Sequence, residues 1–170
     1  MHGKHLSYEY LSELFYINCD GLLCRKIAVK KAKTGVVEGK PDNRGYKYIY
    51  QDNSRLKVHR VAYCIFSGKD LNGDVEIDHI DGNPSNNNIS NLRPCNRSEN
   101  QQNRGANKNN KLGYKGVCIH KKTGKYFGRW MYNGILHSTK YHEEPNQAYA
   151  ELLLIKSNFK SEFINREELK

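Results

Sequence analysis

The sequence lacks several features that define familiar structural classes. No stretch approaches the roughly 18 apolar residues of a membrane span, and the N-terminus holds no apolar core of signal-peptide length. The five cysteines include no C-x-x-C pair, which argues against a disulfide scaffold and against a zinc ribbon. No heptad pattern or sizeable apolar patch suggests a dimer interface. We therefore expect a monomer with reduced thiols that stays in the cytoplasm of the cell that makes it.

Acidic residues are scarce relative to basic ones. Lys and Arg number 28 against 18 Asp and Glu, so the formal net charge is +10 over 170 residues. Such a surplus favours a polyanionic partner, nucleic acid before membrane. Residues 1–105 carry 16 basic and 12 acidic side chains, and residues 106–170 carry 12 and 6, so both halves can bind a polyanion. A merely soluble basic protein is the alternative.

The most informative segment is Val75–Asn100, with the sequence VEIDHIDGNPSNNNISNLRPCNRSEN. It predicts a short strand that ends at Asp78-His79, a loop of turn-forming residues and then a polar helix. The helix start has Asn96 or Ser98 as candidate cap and Glu99 in the first turn. This order can bring Asp78, His79 and Asn100 together. A carboxylate and an amide oxygen suit Mg²⁺ or Mn²⁺, and a neutral imidazole can take a proton from water, as phosphodiester hydrolysis requires.

This segment resembles the HNH (ββα-metal) endonuclease motif, in the variant of phage and intron-encoded homing nucleases that replaces the final His by Asn. The resemblance rests on D-H, D-G-N, N-N, N-L-R and E-N-x-x-N in this order. It implies that His79 is the general base, that Asn91 holds the loop, and that Asp78 and Asn100 bind one Mg²⁺ or Mn²⁺ ion. The implied activity is hydrolysis of a phosphodiester bond in double-stranded DNA, with no small-molecule substrate. Because one chain holds one such site, we expect a monomer to nick one strand. An Asn-rich solvated loop with an accidental Asp-His pair is the alternative.

Upstream of this segment the patterns predict two helices and two hairpins. The predicted elements are a helix from Ser7 to Phe15, a hairpin through Asn18–Gly21, a second hairpin turning near Asp52-Asn53, and a helix of roughly ten residues. The segment H-R-V-A-Y in the last helix is similar to one that many phage HNH proteins carry before the D-H strand, so the resemblance extends upstream to about Leu14. His59 in that segment either supports the metal site, contacts a phosphate, or is a core histidine.

A second unit begins near Tyr114, after a polar stretch rich in Gly and Asn. Three strands, with an Asn133-Gly134 turn, and a helix starting near Pro145 are predicted. With G-Y-K-G-V and Q-A-Y-A, the unit resembles the AP2 DNA-binding domain over about Gly113 to Ile164, which implies that its sheet reads the major groove. It departs from the plant form at Cys118 and His120, where that form usually has arginines. Alternation predicts one face with Phe127, Arg129 and Met131 toward DNA, and one with Tyr126, Gly128, Trp130 and Tyr132 toward the helix.

The predicted fold class is α+β, with a ββα-metal (HNH) nuclease module followed by a three-stranded antiparallel sheet plus helix. The HNH domain is expected over residues 1–105 with its motif core at 75–104, a linker at 106–113, and the AP2-like domain over 114–170. The residues expected to contact DNA are Lys30, Lys31, Arg60, Arg93, Arg97, Arg104, Lys108, Lys111, Lys115, His120, Lys122 and Arg129. The expected source is a phage, acting in a bacterial cytoplasm. A DNA-binding regulator with an inert nuclease motif and a phage packaging accessory are the alternatives.

Overall fold

The computed structural model describes residues 7–29, 32–71, 75–105, 109–159 and 162–163. The chain divides into two compact units, Met1–Asn100 (unit 1) and Gln101–Lys170 (unit 2). Three residues expected to contact DNA, Lys30, Lys31 and Lys108, lie outside the described ranges.

Unit 1 begins with a helix and a small antiparallel sheet. Helix α1 (Tyr8–Leu14) is capped by Ser7, whose side chain accepts a hydrogen bond from the backbone N–H of Tyr10 at 3.3 Å. Strands β1 (Phe15–Ile17), β2 (Leu23–Arg25) and β3 (Gly35–Val36) follow in that order across the sheet. The predicted helix and the first predicted hairpin are confirmed.

The second sheet of unit 1 leads directly into a helix. It contains β4 (Lys40–Pro41), β5 (Lys47–Gln51) and β6 (Ser54–Lys57), and α2 (Val58–Ser67) follows without a loop. Asp52 and Asn53 form the turn between β5 and β6 with φ of 46° and 61°. Two consecutive left-handed residues are typical of a type I′ turn, in which Asp and Asn are tolerated. The second predicted hairpin and its helix are therefore confirmed.

The segment around the Asp-His pair forms two paired strands and a helix. Strand β7 (Glu76–His79) pairs antiparallel with β8 (Leu92–Cys95), and a 3₁₀ turn at Ile89–Asn91 precedes β8. Helix α3 (Arg97–Asn103) begins after a capping box, in which Asn96 Oδ1 accepts from the Glu99 N–H and Glu99 Oε2 accepts from the Asn96 N–H. The predicted strand, loop and helix are confirmed, whereas the residue pattern alone does not predict β8.

The core of unit 1 is built around α2. Val58, Val61 and Ala62 on this helix are buried together with Phe15 of β1 and Ile77 of β7. The core thereby fixes β7 against the N-terminal half of α2. No helix in the described part of the chain is long and apolar enough to cross a membrane.

The five cysteines are free thiols, as expected. Burial raises the pKa of Cys95 to about 12, so this side chain is a protonated thiol packed beside β7.

Unit 2 is a three-stranded antiparallel sheet covered by one helix. Its elements are β9 (Val117–Ile119), β10 (Tyr126–Tyr132), β11 (Ile135–Ser138) and α4 (Pro145–Ser157), with β10 central. A Cβ atom at Gly128 would lie 2.8 Å from Leu152 Cβ on α4, so helix and strand are in backbone contact there. Trp130, on the same face, packs 5.2 Å from the Phe159 ring just after α4. The predicted helix-facing side of the sheet is thereby confirmed.

Candidate active site

The alternation of side chains along β7 divides the candidate site into two sides. Glu76 and Asp78 point to one face of the β7–β8 pair, and Ile77 and His79 point to the other. The strand therefore separates His79 from Asp78 and Asn100, which the sequence analysis expected to come together. The contacts of β7 and its loop that follow lie within unit 1.

His79 is held by a side-chain amide and by two rings. The residue is 4% exposed, and its Nε2 lies 3.1 Å from Asn87 Oδ1. Its ring centroid lies 4.9 Å from that of His59, edge to face, and 5.9 Å from that of Tyr46. Burial lowers the pKa of His79 below its ordinary value, against smaller opposing effects of Asn87, Asp81 and Asp78. The imidazole is therefore neutral at neutral pH.

The Asn87 contact selects the tautomer of His79. An amide oxygen only accepts hydrogen bonds, so Nε2 carries the proton of the neutral ring. The basic nitrogen is then Nδ1. Sequence analysis missed Asn87, which lies within a run of three asparagines that gives no sign of which one faces the histidine.

Asn91 anchors the loop between β7 and β8. Its Nδ2 donates to Asp81 Oδ1 and to the Asn86 carbonyl, both at 2.9 Å, and its Oδ1 accepts from the Asp81 N–H at 3.1 Å. Asp81 also accepts from the Asn83 N–H and the Asn86 side chain. Because Asn87 directly follows the anchored Asn86, these bonds also position the amide that holds His79.

Asp78 faces the other side and forms a buried ion pair. Its Oδ2 accepts from Arg93 Nε at 3.0 Å and from Arg93 Nη2 at 2.9 Å. Asp78 is 6% exposed and Arg93 is 9% exposed. The two residues are register partners on β7 and β8, which explains why they meet. Arg93 was expected at a DNA phosphate, and the structure places its guanidinium on Asp78 instead.

Asn100 contacts the same side of β7. Its Nδ2 donates to Glu76 Oε2 at 2.6 Å, and Glu76 is two residues from Asp78 on the same face of the strand. Glu76 is a site residue that sequence analysis missed, although the period of two along a strand places it beside Asp78.

The donor atoms on this side are oxygen atoms of two carboxylates and an amide. In the described part of the chain, no group of three or more His, Cys, Asp and Glu side chains is arranged to hold a metal ion. An ion here would depend on the Asn100 amide together with Asp78 and Glu76. Carboxylate and amide oxygens suit Mg²⁺ or Mn²⁺, so the donor chemistry fits such an ion, with the Arg93 guanidinium as a competing cation on Asp78.

Part of the chain matches a known protein family. Residues 56–102 match the family model described as HNH endonuclease. These residues are therefore similar to an HNH endonuclease domain, and that name is used below for the residues that the match covers. The match includes His59 on α2, the Asp78-His79 pair, Asn91 and Asn100, so every side chain discussed above except Tyr46 falls inside the domain.

One viral relative extends the similarity beyond the HNH endonuclease domain. The "Uncharacterized HNH endonuclease L560" of Acanthamoeba polyphaga mimivirus is 31% identical over 96 residues, which cover 56% of this chain and 48% of the relative. The chain therefore spans about half the length of that protein. No solved structure gives a significant match to the chain.

The other residues expected to contact DNA differ in their surroundings. In the HNH endonuclease domain, Arg60 donates through Nη1 to the Val75 carbonyl at 2.7 Å, which fixes it to the segment before β7. In unit 2, Lys115 donates to the carbonyls of Gln102 and Arg104, and His120 Nδ1 lies 2.9 Å from Thr123 Oγ1. Among the described residues expected to contact DNA, the exposed ones are Arg97, Arg104, Lys111, Lys122 and Arg129.

His59 is buried behind His79. It is 3% exposed, and its Nδ1 has no hydrogen-bond partner among the described residues. Its ring centroid also lies 5.5 Å from that of Tyr46. Burial, with smaller contributions from the charges of His79, Lys57 and Arg60, lowers the pKa of His59 to about 3. Direct contact with a phosphate does not fit this burial, which leaves the roles of core residue and support for His79.

The low pKa of His59 predicts a specific acid sensitivity. Between pH 3 and 6.5 the unfolded chain binds a proton at His59 that the folded chain does not, so the free energy of unfolding falls as the pH drops through 6.5. From pH 7.5 to pH 5, wild type should lose about 2 kcal/mol more than His59→Phe, which keeps an aromatic ring. Urea unfolding, monitored by circular dichroism, measures the free energy of unfolding of wild type and of His59→Phe at each pH. Parallel pH profiles of the two proteins would show that His59 is not buried in its neutral form.

Proposed function

We propose that the protein is a divalent-metal-dependent DNA endonuclease of the homing type that nicks double-stranded DNA, with His79 as general base. The observation that carries this proposal is the state of His79 within the HNH endonuclease domain. Its ring is neutral, and its Nε2 is bound by Asn87. Asp78, the preceding residue, presents a carboxylate to the opposite face of β7.

The residues around His79 orient its ring for one proton transfer. Nδ1 of His79 takes the proton of the attacking water, and the Nε2–H bond to Asn87 stabilises the imidazolium that results. The rings of Tyr46 and His59 restrict rotation of the imidazole. Asn91 keeps Asn87 in place through its three bonds to the loop.

On the opposite side, Asp78 and Asn100 would hold the metal ion, with Glu76 as a further oxygen donor. When bound, a divalent ion stabilises the negative charge that develops on the phosphate and the leaving 3′ oxygen. Arg93 orients the Asp78 carboxylate through two hydrogen bonds to Oδ2.

Unit 2 is proposed to be an AP2-like module that supplies affinity for DNA. The support is its topology, three antiparallel strands with one helix on one face, and the exposure of Arg129 on the other face. The proposed cellular setting is that of a phage-encoded protein acting in a bacterial cytoplasm as a monomer.

One observation favours the alternative, a DNA-binding regulator with an inert nuclease motif. The Arg93 guanidinium already neutralises Asp78, which is one of the two proposed metal ligands. Digestion of a supercoiled plasmid separates the two functions. The nuclease converts it to open circles in Mg²⁺ or Mn²⁺, well before linear DNA accumulates, and does nothing in a chelator. A regulator binds the plasmid and leaves it supercoiled under both conditions.

A further inference from the structure

We propose that the outer face of the β4–β5–β6 sheet is the DNA-binding surface of unit 1, and that Lys57 binds a backbone phosphate beside the scissile bond. We name this surface the basic face and define it by Lys40, Tyr48, Tyr50, Arg55 and Lys57. The inference rests on the proposed nuclease function and specifies where that site receives its substrate.

The strand register places these five side chains on one face. Tyr48 is the partner of both Lys57 on β6 and Lys40 on β4, and Tyr50 is the partner of Arg55. Partners across antiparallel strands project to the same side of the sheet. The other face carries Ile49 and Leu56, which pack against the core of unit 1. The sheet therefore presents three cations and Tyr50 to solvent, and Tyr48 on the same face is half-buried.

Two acidic side chains lie in the turns at the ends of the basic face, and one of them, Asp42, interacts with both Tyr48 and Arg55. Asp42, in the β4–β5 turn, accepts hydrogen bonds from the backbone N–H groups of Arg44 and Tyr46 at 2.9 and 3.0 Å. Asp52, in the β5–β6 turn, accepts a hydrogen bond from the Tyr10 hydroxyl. The Asp42 carboxylate therefore offsets part of the charge of Arg55, and the proposal rests on Lys57.

Cations and aromatic rings interleave along this face up to the general base. The Arg55 guanidinium lies 3.7 Å from the centre of the Tyr48 ring, and Lys57 Nζ lies 5.3 Å from that of Tyr46. Tyr46 in turn packs on His79 at 5.9 Å. The sequence of contacts from Lys57 through Tyr46 to His79 makes the basic face continuous with the proposed catalytic centre.

Lys57 lies beside the rings that surround the general base, because its Nζ packs over Tyr46 and Tyr46 packs on His79. A cation so placed is suited to hold a phosphate next to the atom that accepts the proton of water. The DNA backbone carries a regular array of phosphates, so it can contact several cations of an exposed sheet at once, whereas a small anion cannot.

The test compares two lysines at opposite ends of α2. Lys57 precedes its first residue on the basic face, and Lys69 is exposed just beyond its C-terminal Gly68. Lys57→Gln and Lys69→Gln therefore remove the same charge at different places. Affinity for a short B-DNA duplex is measured in a chelator over a range of salt, and plasmid nicking is measured in Mg²⁺. Lys57→Gln should reduce the slope of log K against log[salt] by about 0.9, the value for one lost phosphate contact. It should also slow nicking by at least about tenfold, whereas Lys69→Gln should match wild type in both measurements.

The possible outcomes distinguish a failure of the proposed DNA-binding surface from a failure of the proposed nuclease function. If wild type nicks DNA and Lys57→Gln keeps the wild-type salt slope and rate, the basic face is not the substrate surface and the nuclease function stands. If Lys57→Gln lowers the salt slope but wild type nicks no DNA with either metal ion, the surface stands and the proposed function fails. If wild type neither binds nor nicks DNA, both are overturned.

Discussion

His79→Ala should lower the rate of DNA cleavage at saturating DNA by about 10²–10⁴-fold, the contribution of a general base. The reason is that His79 is the neutral imidazole at the end of β7, with Asn87 fixing its tautomer. Affinity for duplex DNA in a chelator should stay within about twofold of wild type, because the ring is 4% exposed. Plasmid nicking under single-turnover conditions measures the rate, and filter binding measures the affinity.

A second histidine supplies the control for this prediction. His142 in unit 2 binds Glu151 through Nε2 at 2.6 Å and has no assigned part in the reaction. His142→Ala should therefore keep the wild-type rate at saturating DNA. If the His79→Ala protein cleaves DNA as fast as the His142→Ala protein, His79 is not the general base.

Arg93→Ala should destabilise unit 1 by about 3–5 kcal/mol, because it leaves the buried Asp78 carboxylate without its counter-charge. Urea unfolding measures the loss. Arg97→Ala, which removes an exposed arginine four residues later, should change the free energy of unfolding by no more than about 0.5 kcal/mol. The double variant Asp78→Asn/Arg93→Ala should be more stable than Arg93→Ala alone, because no unpaired charge stays buried.

The contrary result for Arg93 is also informative. If Arg93→Ala unfolds like Arg97→Ala and instead lowers the salt dependence of DNA binding, Arg93 contacts a phosphate, as the sequence suggested. The ion pair with Asp78 would then be exchanged for DNA in the complex.

Local patterns predicted most of the helices and hairpins correctly. Ser7 as a cap, the Asp52-Asn53 turn and the Asn133-Gly134 turn each act within a few residues, so the sequence alone carries their signal. The same holds for the helix-facing side of β10, because alternation along a strand is local. Strand β8 had no such signal, since Pro94 within it is typical of a turn or an edge strand.

The partners of the site residues were less predictable than the residues themselves. Arg93 was expected at DNA because it lies close to the helix that is predicted to approach DNA, and only the register of β7 with β8 shows its bond to Asp78. Asn87 and Tyr46 reach His79 through the folded loop and the sheet before α2, respectively. These contacts join residues distant in sequence, so neither spacing nor motif reveals them.

The most direct measurement of the central claim is chemical rescue of His79→Gly. If His79 supplies only a base, added imidazole should restore plasmid nicking to this variant, with a rate that rises with the concentration of neutral imidazole. The same imidazole should leave wild type and the variant Asp78→Ala unaffected. The account predicts an inactive His79→Gly protein that recovers activity in this way. A His79→Gly protein that nicks DNA at the wild-type rate without imidazole would contradict it.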